Sequence, residues 1–456
     1  MGSMGDLVWL RRDLRRADLP TLGTASANGP VTVAFVIDPA LWGTTTGLPR
    51  RRWLAATLLV LREAYDGRLT LRQGDPRVQI PTLAAEIGAA QVHISAETEP
   101  DGAARDREVE QALDQVRLVR TGSPYAVTPG RVLKGNGDPY LVFTPFSKAW
   151  REHGWRAPAE EPHDLVLAED RSEPGLWDLV ASAAEGDLPS LPAPGESAAL
   201  ARWEQFLDEG LDHYGAERDR PDIDATSQLS PYLKLGVVHP RTLLADLAER
   251  HSPGAERFVT ELAWREFYAD VLHHHPYSLW QDLRPEMAAM EYDDEPDLVQ
   301  AWRDGRTGVP LVDAGMRQLL ATGWMHNRVR MVAASFLIKH LHTRWQVGAQ
   351  HFLDHLIDAD LASNQHGWQW TAGTGTDAAP YYRVFNPVLQ GERFDPDAAY
   401  VRHWIPELAD LTPSQAHQPW TVPVSRRHDY PDPIVDIDEE RKVALARHQA
   451  ARSVRE

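Results

Sequence analysis

The stretch GWMHNRVRMVAASF, Gly323 to Phe336, is an apolar helical pattern interrupted by a histidine, an asparagine and two arginines. If it is helical from Met325, then Asn327, Arg330, Met331 and Ala334 fall at i, i+3, i+4 and i+7 and share one stripe. Val329, Val332, Ala333, Phe336, Leu337 and Ile338 cover most of the remaining circumference. A helix apolar nearly all round belongs in an interior, where its polar groups need partners. The stripe therefore faces either an internal salt bridge or a bound polar ligand.

Working outward, the second half of the chain reads as all-helical. AALARWEQFLDEGLDHY, RTLLADLAER, RFVTELAWREFYADVLHHH and VDAGMRQLLATG all carry helical periodicity. The first part differs. From Asp6 to about Arg120 the apolar runs DLVWL, VTVAFVID, RLTLRQGD and QVHIS alternate with helical patterns, the signature of a doubly wound parallel α/β sheet. No GxGxxG follows the first strand, so a dinucleotide fingerprint is absent, and a ligand is expected at the carboxyl ends of the strands. A Pro-, Ala- and acid-rich stretch from about 157 to 196 reads as a long connection. The expected division is an α/β domain over 6–130, a connection over 131–197 and a helical domain over 198–456.

The chain has 456 residues and no cysteine, which excludes disulfides, thiolate metal sites, cysteine-ligated clusters and cysteine nucleophiles. No apolar run approaches the roughly 20 residues of a membrane span, and no signal-peptide pattern opens the chain. A cytoplasmic protein without membrane contact is expected. The opening MGSMG resembles a tag remnant before Met4. The net charge of −19 argues against a nucleic-acid-binding surface overall but permits a local basic cleft. Of 47 basic residues only Lys134, Lys148, Lys234, Lys339 and Lys442 are lysines, a bias that base composition explains as well as phosphate recognition does. Most of the 16 tryptophans follow residue 150, in WREHGW, AWREFY, GWMHN and GWQW. Aromatic clusters beside arginine are usually core, but they also make stacking surfaces.

Metal sites are not expected. In HFLDHL, Phe352 stands where a zincin needs glutamate, HHHP has no further ligand set, and the calcium-loop frame from Asp358 lacks its glycine and closing glutamate. What remains is Asp358, Asp360 and Asn364 ahead of Trp368 and Trp370, then the turn TAGTGTD, whose backbone N–H groups could face an anion. A second hydroxyl-rich turn, TSQLSP, places Ser230 and Pro231 as N-cap and first residue of a helix, a start that can hold a phosphate but more often merely caps.

Together these segments resemble the class I DNA photolyases of the photolyase/cryptochrome family. The resemblance runs from VWLRRDLR to YPDPIVD and includes TPFSKAW, ELAWREFY, TGWMHNRVRM, ASFLIK, GWQWTAGTGTDAAPYYRVFNP and QGERFD. It implies an α/β antenna domain and a helical domain binding FAD. Tyr214, Thr226, Ser227, Gln228, Leu229 and Ser230 would take the phosphates and neighbouring groups. Arg330 with Asp358, and Asp360 with Asn364, would surround the isoalloxazine, ribose and adenine. The implied substrate is DNA containing a cyclobutane pyrimidine dimer, flipped into a wide pocket. Trp264 and Trp370 would supply aromatic faces and Glu261 and Asn327 would bond base edges, with Met331 beside them. Arg218, Arg265 and Gln390 would meet the DNA. Light-excited reduced FAD would pass an electron to the dimer and recover it after the ring splits.

A (6-4) photolyase would carry histidines at Asn327 and Met331. The competing expectation is a cryptochrome-like blue-light receptor without repair activity. ETEPDGAARDREV resembles the branch using 8-hydroxy-5-deazaflavin as antenna, held near Arg12, Phe35, Glu99 and Asp101, with methenyltetrahydrofolate as alternative. The family's relay to oxidised flavin would run through Trp368 and Trp345, and its outer tryptophan is replaced by Tyr292. A phenol can end a relay only if its proton is taken, by water or by Glu291, Asp293 or Asp294. A monomer is expected.

Overall fold

The computed structural model describes residues 5–43, 47–186, 191–287, 289–376 and 382–453. The chain forms two compact units, Met1–Asp212 with Ser227–Pro276, and His213–Thr226 with Tyr277–Glu456.

The first unit is built on five parallel strands, β1 (Asp6–Leu10), β2 (Val31–Ile37), β3 (Thr70–Gln73), β4 (Gln91–Ile94) and β5 (Arg117–Arg120), in the order β3-β2-β1-β4-β5. β1 and β2 are buried throughout, as central parallel strands covered on both faces must be. Helices fill the crossovers. Asp75 caps one of them by accepting from the Arg77 N–H at 2.9 Å, Pro76 opens it, and Gly88, with φ +61°, closes it. β5 was not among the four strands read from the sequence. As an edge strand, RLVR has charged, exposed ends and no alternating apolar pattern. Strand order reverses at β1 and β4, so the crevice at their carboxyl ends is where this architecture places ligands.

Two helices of the same unit matter below, α1 (Phe143–His153) and α2 (Pro253–His274). The stretch read as an irregular connection thus contains α1, and a further helix, Leu176–Ala184, packs on Leu48–Ala64. Phe143, Phe146 and Trp150 form an i, i+3, i+7 stripe along α1, and Phe146 packs on Phe267 of α2 with centroids 5.2 Å apart. Glu266 of α2 accepts from the Val127 N–H and from the Trp150 indole, each at 2.9 Å, and from the Ala126 N–H. Burial pushes this carboxyl above its usual range, and its three donors only partly offset that.

The second unit is helical, with α3 (Asn327–Lys339), α4 (Trp345–His355), α5 (Leu361–Ala372) and α6 (Ile437–Ser453). α3 begins two residues later than Met325. His326 is its N-cap, the ring Nδ1 accepting from the Arg328 N–H at 3.2 Å. Every residue from Val332 to Lys339 is buried, as the pattern required. Gly348 lets α4 and α5 approach: a Cβ there would lie 2.1 Å from the Trp368 ring. Among the described residues no helix is long and apolar enough to cross a membrane.

Candidate functional site

The polar stripe of α3 meets an internal partner. The Arg330 guanidinium donates to Asp358 at 2.8 Å and, through Nε, to the Met325 carbonyl at 2.7 Å. Asp358 is buried, whereas the Arg330 side chain is 23% exposed, so the pair offers a charged edge and is not sealed in the core. Asn327 is exposed at the start of the stripe, and its amide lies 3.9 Å from the Met331 sulfur one turn on. Asp360 caps α5 by accepting from the Ser363 N–H at 2.9 Å. Asn364 donates to the Ala349 carbonyl at 3.1 Å. These two residues therefore help to hold α5 and its contact with α4 in place.

Among the buried polar atoms of this unit without a partner among the described residues are the His326 Nε2 and the hydroxyls of Thr374 and Thr376. Burial pushes His326 down to about 4, Asp219 opposing and the guanidiniums of Arg330, Arg328 and Arg218 assisting. It is neutral, and since its Nδ1 accepts, its Nε2 carries a proton to donate. A buried His326 N–H donor close enough to feel the Arg330 guanidinium suits a polar ligand. The sequence pattern shows His326 as a polar interruption of the helix but assigns it no role. Its cue was only its place ahead of the stripe. Asp377 to Tyr381, within the quoted TAGTGTDAAPYYRVFNP, lie outside the described residues.

Elsewhere in the second unit, Tyr214 is buried with Arg218 over its ring at 5.5 Å, and Thr226 is half-buried. The Trp370 ring carries the Arg383 guanidinium at 5.3 Å. Gln390 lines a shallow cleft of about 420 Å³ with Phe385, Leu389 and Arg441. Trp368 is buried against Phe352, centroids 5.0 Å apart, and Trp345 donates its indole N–H to Asp282 at 2.8 Å. Tyr292 packs against the same core. Burial pushes its phenol above the usual range, with Asp282 and Asp294 adding to the effect. Of the acids beside it, Asp293 pairs with Arg447 at 2.9 Å and Asp294 with Arg344 at 3.3 Å.

In the first unit, Ser227 is buried and Gln228 has φ +51°, a left-handed turn that leads into the helix Ser230–Leu235. That helix starts one residue earlier than read. Leu229 is its N-cap, Ser230 and Pro231 are its first two residues, and no side chain caps it. Pro231 has no N–H to bond, so the start tolerates the missing cap. Trp264 of α2 is half-exposed and lies flat against Phe143, centroids 3.7 Å apart and planes 5° apart. Glu261 pairs with Arg257 at 2.9 Å. Arg265 donates to the carbonyls of Pro124 and Leu233 and lies over Tyr125 at 4.5 Å. At the β1/β4 crevice Arg12 pairs with Glu99 and lies 3.7 Å from Glu97. Burial raises the Glu97 carboxyl, but Arg12 and Arg11 outweigh it and hold the group below the usual range. Phe35 is buried in β2, and Asp101 is exposed in the first turn of Pro100–Ala112.

The first unit is thus a parallel α/β sheet with a charged crevice at its switch point, and the second is helical with a partly exposed Arg330–Asp358 pair. The chain matches the DNA photolyase family over residues 6–163 and the FAD binding domain of DNA photolyase over 258–450. It is 40% identical to a deoxyribodipyrimidine photo-lyase of Thermus thermophilus, over 97% of this chain and 99% of that protein. The Escherichia coli protein of the same name is 38% identical, over 98% of each chain. A solved bacterial class III photolyase from Agrobacterium tumefaciens superposes with a TM-score of 0.91 at 36% identity, over 99% of this chain and 98% of that one. The chain belongs to the photolyase/cryptochrome family, with a DNA photolyase domain and a FAD-binding domain.

Proposed function

We propose that the protein splits cyclobutane pyrimidine dimers in DNA under light and belongs to the class I branch, on the motif set quoted above. The observation that carries this reading is the stripe of α3, exposed at Asn327 and half-buried at Arg330 and Met331, in which neither Asn327 nor Met331 is a histidine and Arg330 pairs with Asp358. Fully reduced FAD, when bound and lit, supplies the electron that opens the dimer. The protein's own part is binding, orientation and exclusion of water. Arg330, Asp358, Asp360 and Asn364 hold the ring, ribose and adenine, and Tyr214, Thr226, Ser227, Gln228, Leu229 and Ser230 hold the phosphates. Glu261 and Asn327 bond the base edges, Trp264 and Trp370 stack, and Met331 packs beside them. Arg218, Arg265 and Gln390 meet the DNA backbone. Trp368 and Trp345 would relay electrons to oxidised flavin, and Tyr292 stands in the place of the family's outer tryptophan.

The functional division follows 6–130, 131–197 and 198–456, and the protein works as a monomer. Arg12, Phe35, Glu99 and Asp101 hold an antenna, 8-hydroxy-5-deazaflavin in preference to methenyltetrahydrofolate. Supporting the antenna reading are the buried Arg12–Glu99 pair and its place at the switch point. Reconstitution tests it: added deazaflavin should bind and sensitise repair, and added folate should do neither. The main reading is tested by transformation. Ultraviolet-damaged plasmid incubated with the protein should give more survivors in blue light than in the dark. Equal counts would support a light receptor without repair.

A further inference from the structure

Trp345 is 1% exposed, and its indole N–H donates to a carboxylate oxygen of Asp282 at 2.8 Å. Asp282 itself is half-buried and reaches the surface. A tryptophan that loses an electron becomes an acidic cation. Shut off from bulk water, it either takes the electron back or passes its N–H proton to a base already in hydrogen-bond reach. Asp282 is such a base.

We propose that Asp282 is the proton acceptor of the relay and that the oxidising equivalent comes to rest on Trp345, before Tyr292. This rests on the relay reading above. With oxidised flavin bound and lit, Trp368 would give up one electron and regain one from Trp345. The Trp345 N–H bond breaks, and its proton joins Asp282 along the existing hydrogen bond. A neutral indolyl radical and a carboxylic acid remain. A thiol reductant later returns one electron to Trp345, and the proton returns to the indole nitrogen. Tyr292 is less well served: Asp293 and Asp294 beside it are held by Arg447 and Arg344, and Asp282, whose charge also reaches its phenol, already accepts from Trp345.

The test uses flavin-oxidised holoprotein and a laser flash on the wild type, Asp282→Asn, Trp345→Phe and Tyr292→Phe. Asparagine keeps the size and an accepting oxygen but is not a base. The wild type should show a neutral tryptophan radical that forms more slowly in heavy water. Asp282→Asn should show a cationic one, shorter-lived by about a hundredfold, the low end for a positioned proton acceptor. Tyr292→Phe should match the wild type. In flavin-free protein, the indole N–H resonance absent from Trp345→Phe should move upfield in Asp282→Asn. A tyrosyl radical in the wild type, deprotonation in Asp282→Asn at the wild-type rate, or an unmoved resonance would overturn the proposal. Wild-type photoreduction by Trp345→Phe would instead overturn the relay itself.

Discussion

Trp264 and Trp370 are both half-exposed tryptophans, but they are backed differently. Trp264 lies flat on Phe143, within an apolar group that includes Phe267 and Tyr268. Trp370 has the Arg383 guanidinium against its ring. Packing fixes the first ring, through a stripe on α1 whose inner members Phe146 and Trp150 are fully buried. A permanent charge backs the second. The contrast teaches that one tryptophan is a geometric surface and the other also an electrostatic one.

The largest effect expected lies at neither tryptophan and sets the scale. Asp358→Ala leaves Arg330 without its carboxylate, and flavin retention should fall by about 2–3 kcal/mol, less than for a fully sealed pair because Arg330 is partly exposed. Flavin absorbance after gel filtration measures this. Full retention would remove the basis for placing the cofactor there.

Next, Trp264→Ala should weaken binding of a dimer-containing oligonucleotide by about 1–3 kcal/mol, the value of a base–aromatic stack, with an unchanged salt slope because phosphates set that slope. Titrations over a salt series check both. Phe143→Ala should cost about 0.5–1.5 kcal/mol, the value of an aromatic pair, and nothing further once Trp264 is already alanine. Additive losses would mean that Phe143 acts by another route. Arg383→Met should have the smallest effect on lesion affinity, about 0.5–1 kcal/mol as for an exposed cation–π contact, with Arg383→Lys retaining most of it. If Arg383→Met equals Trp264→Ala in size, the distinction between the two tryptophans fails.

These neighbours also mark how far the sequence can be read. The sheet was legible because its central strands are apolar runs, and α3 because its polar stripe is so narrow. The edge strand Arg117–Arg120 was not, since its ends face solvent. The start at Ser230 was misread by one residue because a Ser–Pro pair suits the cap and the first turn alike. The helical stripe called for a partner to Arg330, and the family resemblance, not local patterning, pointed to Asp358. Phe143 against Trp264, Arg383 against Trp370 and Asp282 beneath Trp345 are contacts made only when distant segments pack, and no local pattern announces them.

The central claim is light-driven repair, and one measurement addresses it directly. A short oligonucleotide with a single thymine dimer is mixed with flavin-reduced protein, lit or kept dark, and separated by chromatography. Restored thymines in the lit sample alone, with little turnover by Trp264→Ala at subsaturating DNA, are the predicted result. An intact dimer after illumination, with the flavin reduced and the oligonucleotide bound, would contradict the account.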